Sequence, residues 1–251
     1  MLGGILLTSA ILWASVLPGE SVTGGKEAVA HSRPYMASVQ LNGKHECGAF
    51  LIASQWLLSA THCFRDGAGG RTVVVGLHSL SEEEATKETF QISAVYNHPD
   101  FNIHNYDSDI TLIKLDRPVV ESDTVKPLSY KQTGVEPAED TTVDTAGWGS
   151  LNNLGSRPDK LHELTIRVKS RNKCGRSDYY GSKFTKNMLC AAGMRQDTCD
   201  GDSGGPLLYN GVAVGITSNG GKKCGTCRKP GLYTIISHFA EWIQQTMTDN
   251  A

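Results

Sequence analysis

The sequence has almost no excess of charge of either sign. It contains 24 Lys and Arg residues against 26 Asp and Glu residues, a formal net charge of −2 over 251 residues. Proteins that bind nucleic acid or anionic membranes normally carry a strong basic excess, so this balance argues against both classes. Hydrophobic residues are 39% and charged residues 20%, which excludes a disordered or fibrous chain. The length fits one large domain or two small ones.

Long hydrophobic runs are also missing. No stretch reaches the ~18 apolar residues of a transmembrane helix, and the apolar run at residues 5–17 is too short to span a bilayer. This run, followed by small residues, predicts a signal peptide over residues 1–21, although no Lys or Arg precedes Lys26. Gly19 and Ser21 have the spacing of a signal peptidase site, so we expect Val22 to begin a secreted, extracellular protein.

Metal-ligand spacing is absent from seven of the eight histidines, and no Asn-x-Ser/Thr acceptor for N-glycosylation occurs. The acidic run at residues 82–84 lacks the spaced oxygen ligands of a calcium site. We therefore expect no metal and no cofactor. The seven histidines are His31, His45, His78, His98, His104, His162 and His238.

Cysteine, in contrast, is plentiful. Seven cysteines are many for a cytosolic protein of this size and indicate an oxidising compartment in which most of them pair. Because seven is odd, at least one cysteine has no partner within the chain.

The remaining chain alternates short apolar runs with Gly, Asn, Asp and Pro, which predicts an antiparallel all-β protein. Asn42-Gly43 and Asn210-Gly211 are tight-turn dipeptides that favour hairpins. A connection near residues 122–132 separates two sets of six strands and suggests two similar units. The predicted strands are 35–41, 46–52, 56–60, 72–76, 89–96 and 110–115, then 142–147, 161–169, 188–192, 206–208, 212–218 and 231–236.

One helix is predicted, at the C-terminus. Phe239, Trp242, Ile243 and Met247 recur at helical spacing and form one apolar stripe, with Ser237 as the candidate N-cap. Packing against a barrel is the expected use of that stripe.

The segment 201–206, GDSGGP, is the most informative hexapeptide for chemistry. A serine between glycines can lie on a sharp turn with its hydroxyl exposed, while neighbouring amides converge in front of it. This geometry suits an oxyanion, and we assign its donors to the amides of Gly201 and Ser203.

A serine hydroxyl needs a base that removes its proton, and that base needs an orienting carboxylate. Thr61-His62-Cys63 supplies the histidine, and Asp109 begins a predicted strand where a partly buried carboxylate can hold an imidazole. The candidate catalytic residues are therefore His62, Asp109 and Ser203.

Six motifs in this order resemble the chymotrypsin/trypsin-like serine proteases, from Val22 to the C-terminus. The family fold is two six-stranded antiparallel β-barrels with a C-terminal α-helix, divided here at about residue 128, and the implied activity is that of a serine endopeptidase. The motifs are VTGG at 22–25, ATHC at 60–63, DITL at 109–112, GWG at 147–149, GDSGGP at 201–206 and KPGLYT at 229–234.

The resemblance also implies a disulfide pattern. It pairs Cys47 with Cys63, Cys174 with Cys190, and Cys199 with Cys224, and leaves Cys227 over. A further pair that is common in the family is missing as a whole, since Val143 and Tyr209 occupy its positions.

The resemblance implies specificity and activation as well. Asp197 forms the floor of the primary pocket, and Ser218, Asn219, Gly220 and Gly231 line its walls, so an open slot ending in a carboxylate selects Arg or Lys. Asp202 pairs with the amine of Val22. Because Ser21 precedes Val22, activation by a tryptic cut is excluded, and signal peptidase or removal of a dipeptide would release Val22.

Three stretches, 30–43, 76–81 and 157–161, are most similar to complement-activating proteases of this family, although the first is shared with granzymes. The implied partner is complement factor B in complex with an activated C3 fragment, cut by a monomeric enzyme. Asn219 replaces an aromatic residue common in trypsins, and Lys222 or Lys223 beside it could compete for Asp197. Two exposed lysines without such a role are an equal alternative.

Other readings use the same residues. GDSGG also fits the nucleophile turn of α/β-hydrolases, but that fold needs alternating helices and places its acid and histidine after the serine, where only His238 follows. A granzyme-like or general trypsin-like protease remains open, as does an inactive homologue that binds partners.

Overall fold

The computed structural model describes residues 25–194, 196–221, 224, 226 and 228–251. The predicted signal peptide, Val22, the two lysines 222 and 223, and Cys227 lie outside these residues. The strands are β1 Lys26–Glu27, β2 Met36–Leu41, β3 Lys44–Ala53, β4 Trp56–Ser59, β5 Arg71–Val75, β6 Glu88–Asn97, β7 Thr111–Leu115, β8 Thr142–Gly147, β9 His162–Val168, β10 Met188–Ala192, β11 Pro206–Tyr209, β12 Val212–Asn219 and β13 Gly231–Ile235. The α-helices are α1 Arg171–Cys174 and α2 Ala240–Asp249.

The first six long strands close into a barrel. Its order is β2-β3-β4-β7-β6-β5, and pairing of β2 with β5 completes the circle. A closed barrel satisfies the backbone polar groups that an open sheet leaves at its edges. The apolar residues of β4 and β7 are buried, as the runs in the sequence predict.

The second barrel closes in the same way. Strands β9, β10, β13, β12, β11 and β8 follow one another, and β8 pairs with β9 along six residue pairs. Strand β1 adds to β9 at the outside, although it precedes the first barrel in the chain. The predicted fold, two six-stranded antiparallel barrels, is confirmed. The division of the chain at about residue 128 stays a prediction.

One hydrophobic cluster joins the two barrels. It contains Phe50 and Leu58 of the first barrel together with Trp148, Leu208 and Ile216 from the second half of the chain. Burial of each such side chain stabilises the fold by roughly 1.5–3 kcal/mol. The crevice between the barrels is therefore built on a shared core.

The C-terminal helix is confirmed, but its start differs from the prediction. Ser237 lies inside a 3-10 helix, Ile236–Phe239, and the N-cap position of α2 is Phe239. Ser237 is therefore wrong as a cap, because one 3-10 turn already leads the chain into α2. Ile243 is fully buried, and Trp242 and Met247 pack against the core, so the apolar stripe packs against a barrel.

The sequence analysis did not predict three further short helices: α1 and the 3-10 turns Thr61–Phe64 and Gly181–Lys183. Within the described ranges, no helix has the length and apolar character that crossing a membrane requires. Three disulfides tie the loops, and they join the pairs that the family resemblance implies: Cys47–Cys63, Cys174–Cys190 and Cys199–Cys224.

Candidate active site

His62 lies in the short 3-10 helix that follows β4, and it faces Asp109, which lies two residues before the start of β7. The Nδ1 atom is 2.7 Å from Oδ2 of Asp109, and the His62 amide donates to Oδ1 at 2.9 Å. A carboxylate only accepts hydrogen bonds, so Nδ1 carries the proton and Nε2 presents its lone pair. This tautomer is the one that a general base requires.

Asp109 is completely buried, and its position is fixed from several sides. The hydroxyl of Ser218 donates to Oδ2 at 2.5 Å, and the hydroxyl of Thr234 donates to the Asp109 carbonyl at 3.0 Å. Both donors come from the second barrel, whereas His62 and Asp109 belong to the first. The pair is therefore locked across the crevice between the barrels.

Ser203 stands on a tight turn before β11. Gly201 and Gly204 have φ values of +102° and +86°, a region that side-chain-bearing residues rarely adopt. The turn is held by hydrogen bonds from the Asp202 amide to the Cys199 carbonyl and from the Gly204 amide to the Thr217 carbonyl. The glycines of the GDSGGP motif thus set the direction of the chain on both sides of the serine.

His62 and Ser203 line one cavity of about 250 Å³ between the barrels. Ser218, Asn219 and Gly220, which were predicted to bind substrate, line the same cavity. Asp109 lies behind His62, away from the opening. Residues that are 141 positions apart in the chain, at 62 and 203, therefore meet in one place.

The two candidate oxyanion donors lie beside this serine. Among the described residues, none accepts a hydrogen bond from the amide of Gly201 or from that of Ser203. The Gly201 carbonyl, in contrast, is bound by the ring of His45 at 2.9 Å. That bond orients the peptide unit between Gly201 and Asp202, whose amide donates to the Cys199 carbonyl. The use of the Gly201 and Ser203 amides as oxyanion donors stays a prediction.

Asp202 points away from the cavity into the protein. Its carboxylate is almost fully buried and accepts the amide of Gly149 through Oδ1 and that of Cys199 through Oδ2, each at 2.9 Å. Burial raises the pKa of this carboxyl to about 6, although both amide bonds oppose the shift. The predicted partner, Val22, lies outside the described residues, so the ion pair stays a prediction.

His45 also contacts the turn that carries Ser203, through the carbonyl of Gly201. Its Nε2–H donates to the Gly201 carbonyl at 2.9 Å, while Nδ1 accepts from the Ser38 hydroxyl at 2.8 Å. Burial lowers the pKa of His45 to about 4, which outweighs the effect of its bond to Gly201. A neutral ring satisfies both partners, because one nitrogen donates and the other accepts.

Asp197 lies buried next to Gly231, in the wall behind the cavity. If Gly231 carried a side chain, its Cβ atom would lie 2.6 Å from Oδ1 of Asp197. A Cβ atom on Gly220 would meet only Gly231, at 4.0 Å. The absence of a side chain at Gly231 therefore permits the close approach of Asp197 to the main chain. Neither Asp197 nor Gly231 is among the described residues that line the cavity, so their roles in the primary pocket stay predictions. Burial raises the pKa of Tyr180 and that of Tyr233, and the charge of Asp197 adds to both shifts.

Several cavity residues were missed by the sequence analysis. Tyr106, Thr198 and Asp200 line the opening, and the Tyr106 ring lies 5.5 Å from that of His62. Thr198 and Asp200 flank Cys199, a few residues before Ser203 in the chain. Their closeness to Ser203 in the sequence could have predicted that they line the cavity. Asn153 carried no signal: its side chain accepts from the Cys224 amide at 2.7 Å and donates to the Cys224 carbonyl at 3.3 Å.

One group of possible metal ligands occurs near the site. The sulfurs of Cys47 and Cys63 lie close to His62, with 3.8 Å between Nε2 and the Cys63 sulfur. The two sulfurs are bonded to each other in a disulfide, so they are not thiolates and do not bind a cation.

Comparison with known proteins matches this architecture. The family model described as Trypsin matches residues 22–243. The chain is 37% identical to granzyme M of Rattus norvegicus over 97% of this chain and 96% of that protein, and 37% identical to serine protease 57 of the same species over 93% and 85%. The structure of neuropsin, a serine protease expressed in the limbic system of mouse brain, superposes with a TM-score of 0.82 at 34% identity, covering 89% of this chain and 98% of that one. The chain belongs to the trypsin family of serine proteases, which are hydrolases.

Proposed function

We propose that the chain is a secreted serine endopeptidase that cuts proteins after Arg or Lys. The observation that carries this specificity is the buried carboxylate of Asp197 against Gly231, behind the cavity that Ser203 and His62 line. An elongated basic side chain reaches such a carboxylate only where the wall has no side chains of its own. The slot is therefore matched to a guanidinium or an ammonium group.

The proposed reaction uses the cavity that Ser203 and His62 share and the hydrogen bond between His62 and Asp109. Ser203 Oγ attacks the substrate carbonyl while Nε2 of His62 takes its proton, and the Gly201 and Ser203 amides stabilise the oxyanion. The C–N bond then breaks as His62 returns the proton to the leaving amine. Water attacks the acyl-enzyme by the same route and restores the serine. Asp109 keeps the imidazole in the reactive tautomer throughout.

Activation is part of the proposal. The amine of Val22 pairs with Asp202 and holds the 201–203 turn in the arrangement that binds an oxyanion. Release of Val22 by signal peptidase, or by trimming of Glu20-Ser21, makes that amine without a tryptic cut. N-terminal sequencing of the active secreted protein tests this step, because a stable start upstream of Val22 contradicts it.

A panel of fluorogenic peptides tests the specificity. We expect cleavage after Arg and Lys, and at least about 100-fold slower cleavage after Leu, Phe or Glu, because an apolar or acidic side chain cannot form a charge pair with the buried carboxylate of Asp197. Labelling of Ser203 by a fluorophosphonate checks that the sample is active. If Ser203 is not labelled in a sample whose N-terminal residue is Val22, an inactive homologue that binds partners is favoured.

A narrower proposal is the activity of complement factor D, which cuts factor B bound to an activated C3 fragment. It rests on the stretches 30–43, 76–81 and 157–161 alone, whereas the relatives found by comparison support the alternative, a granzyme-like or general trypsin-like protease. Incubation with factor B, with and without the activated C3 fragment, and with casein as a general substrate separates them. Cleavage of casein together with free factor B contradicts the narrower proposal.

A further inference from the structure

A second cavity adjoins the catalytic one. It has a volume of about 480 Å³, and it shares four wall residues with the catalytic cavity: Tyr106, Asn219, Gly220 and Gly221. Ser203 and His62 line only the catalytic cavity. A peptide that runs through both cavities therefore passes the second cavity, then the slot beside Gly220, and reaches Ser203 last.

The second cavity is basic. Lys183 and Lys229 line it, and none of the described residues that line it is Asp or Glu. Lys183 ends the 3-10 turn Gly181–Lys183 and is exposed. Lys229 is half-buried, and its ammonium lies 4.8 Å from the centre of the Tyr180 ring. This contact holds one positive charge at the cavity wall.

Among the described residues, the charged groups at the catalytic cavity are acidic instead. Asp200 lines its opening, and Asp197 lies buried behind it. Two neighbouring cavities whose described charged residues differ in sign thus share one wall, formed by residues 219–221. Such an arrangement discriminates between substrates by the charge of side chains that are a few residues apart.

We propose that the second cavity binds an acidic side chain of the substrate, upstream of the basic residue at the cleaved bond, and that Lys183 and Lys229 are specificity-determining residues. This inference rests on the proposed cleavage after Arg or Lys. Because the two cavities share the wall at residues 219–221, the acidic side chain belongs shortly before the basic one, and the three positions upstream of it span about 10 Å of extended chain. The substrate class is a protein segment with Asp or Glu shortly before Arg or Lys.

The test uses the active full-length enzyme and tetrapeptide coumarin amides that end in Arg. Glu, Gln or Lys is placed in turn at each of the three upstream positions, with Ala at the others. At one position at least, we expect kcat/KM to be about fivefold higher for Glu than for Gln, and lower still for Lys, as two partly exposed charge pairs permit. The preference decreases as salt is raised from 0.05 M to 0.5 M, because salt screens exposed charges.

Variants assign the preference to the lysines. Lys183→Glu should abolish or reverse it, and Lys229→Met, which keeps the apolar stem, should reduce it. Lys186→Glu is the matched control, because Lys186 is an exposed lysine in the same segment that does not line the cavity. Active-site titration with a fluorophosphonate corrects each kcat for misfolded protein.

Two failures are distinguishable. Equal rates for Glu, Gln and Lys at every position, or a preference that survives both Lys183→Glu and Lys229→Met, overturn the assignment of the second cavity while cleavage after Arg stands. If a labelled enzyme cuts none of the arginyl peptides, the proposed specificity fails, and the inference that depends on it fails too.

Discussion

Ser218 Oγ donates a hydrogen bond of 2.5 Å to Oδ2 of Asp109, the same oxygen that accepts from Nδ1 of His62. Ser218 was predicted from the family resemblance as a substrate-binding residue. Its side chain instead contacts the carboxylate that orients the histidine, while the residue also lines the catalytic cavity. Ser218 is therefore placed to position the base as well as to border the substrate.

Replacement of Ser218 by alanine should lower kcat for an arginyl amide by about tenfold or more, since a hydrogen bond to a charged group contributes about 1.5–3 kcal/mol. The pH dependence of kcat/KM should shift as well, because the environment of the His62–Asp109 pair changes. Thr217→Val is the matched control: among the described residues, the Thr217 hydroxyl has no hydrogen-bond partner. An unchanged kcat and pH profile in Ser218→Ala would contradict a positioning role.

Asp197→Asn should remove the preference for basic residues. We expect kcat/KM for arginyl peptides to decrease by about 100-fold or more, because the buried partner of the substrate cation loses its charge. Reaction of Ser203 with a fluorophosphonate should persist. Asp200→Asn is the control, since Asp200 is exposed at the opening and its loss should cost less than about tenfold. Equal effects of both variants would place the selecting charge elsewhere.

Asn153→Ala should loosen one wall of the catalytic cavity. The two bonds from the Asn153 side chain to the Cys224 main chain join the 151–156 loop to the disulfide that borders the cavity. Loss of two exposed hydrogen bonds should raise KM for an arginyl peptide about threefold and leave kcat nearly unchanged. Asn153→Asp keeps the acceptor for the Cys224 amide and should restore part of the effect. A fall in kcat alone would refute this role.

His45 should make the protein less stable in acid. The unfolded chain binds a proton at His45 near pH 6.5, whereas the folded pKa is about 4. Between these values the unfolded state binds more protons, so the contribution is full above pH 6.5 and is lost as the pH falls towards 4. At pH 5 the loss is about 2 kcal/mol.

Urea unfolding at pH 7 and pH 5 measures this contribution. His45→Gln should lose less free energy of unfolding between the two pH values than the wild type does. Asp202, whose folded pKa is raised, acts with the opposite sign in the same range, and comparison with the variant cancels its effect. His104→Gln, at an exposed histidine, should behave as the wild type. Identical pH dependence in His45→Gln and the wild type would rule out the assignment.

The twelve predicted strands match β2 to β13 because alternation of apolar and polar residues is a local property of the chain. Strand β1 was missed, since Lys26 and Glu27 are both exposed and carry no apolar pattern. Its pairing depends on the edge of β9, which no local window contains. The assignment of Ser237 as a cap failed for a similar reason, because a 3-10 turn and an α-helix share the same short-range signals.

Residue types and their order along the chain account for the local turns and for the strand pattern. Gly201 and Gly204 permit a positive φ on each side of Ser203, and the strand pattern commits the chain to closed sheets. Other features exist only in the folded protein: Ser218 and Thr234 donate to Asp109 across the crevice, and two cavities whose described charged residues differ in sign share the wall at 219–221. The physical reason is that these contacts join residues more than 100 positions apart, whose distance is set by barrel closure and core packing rather than by neighbouring residues in the chain.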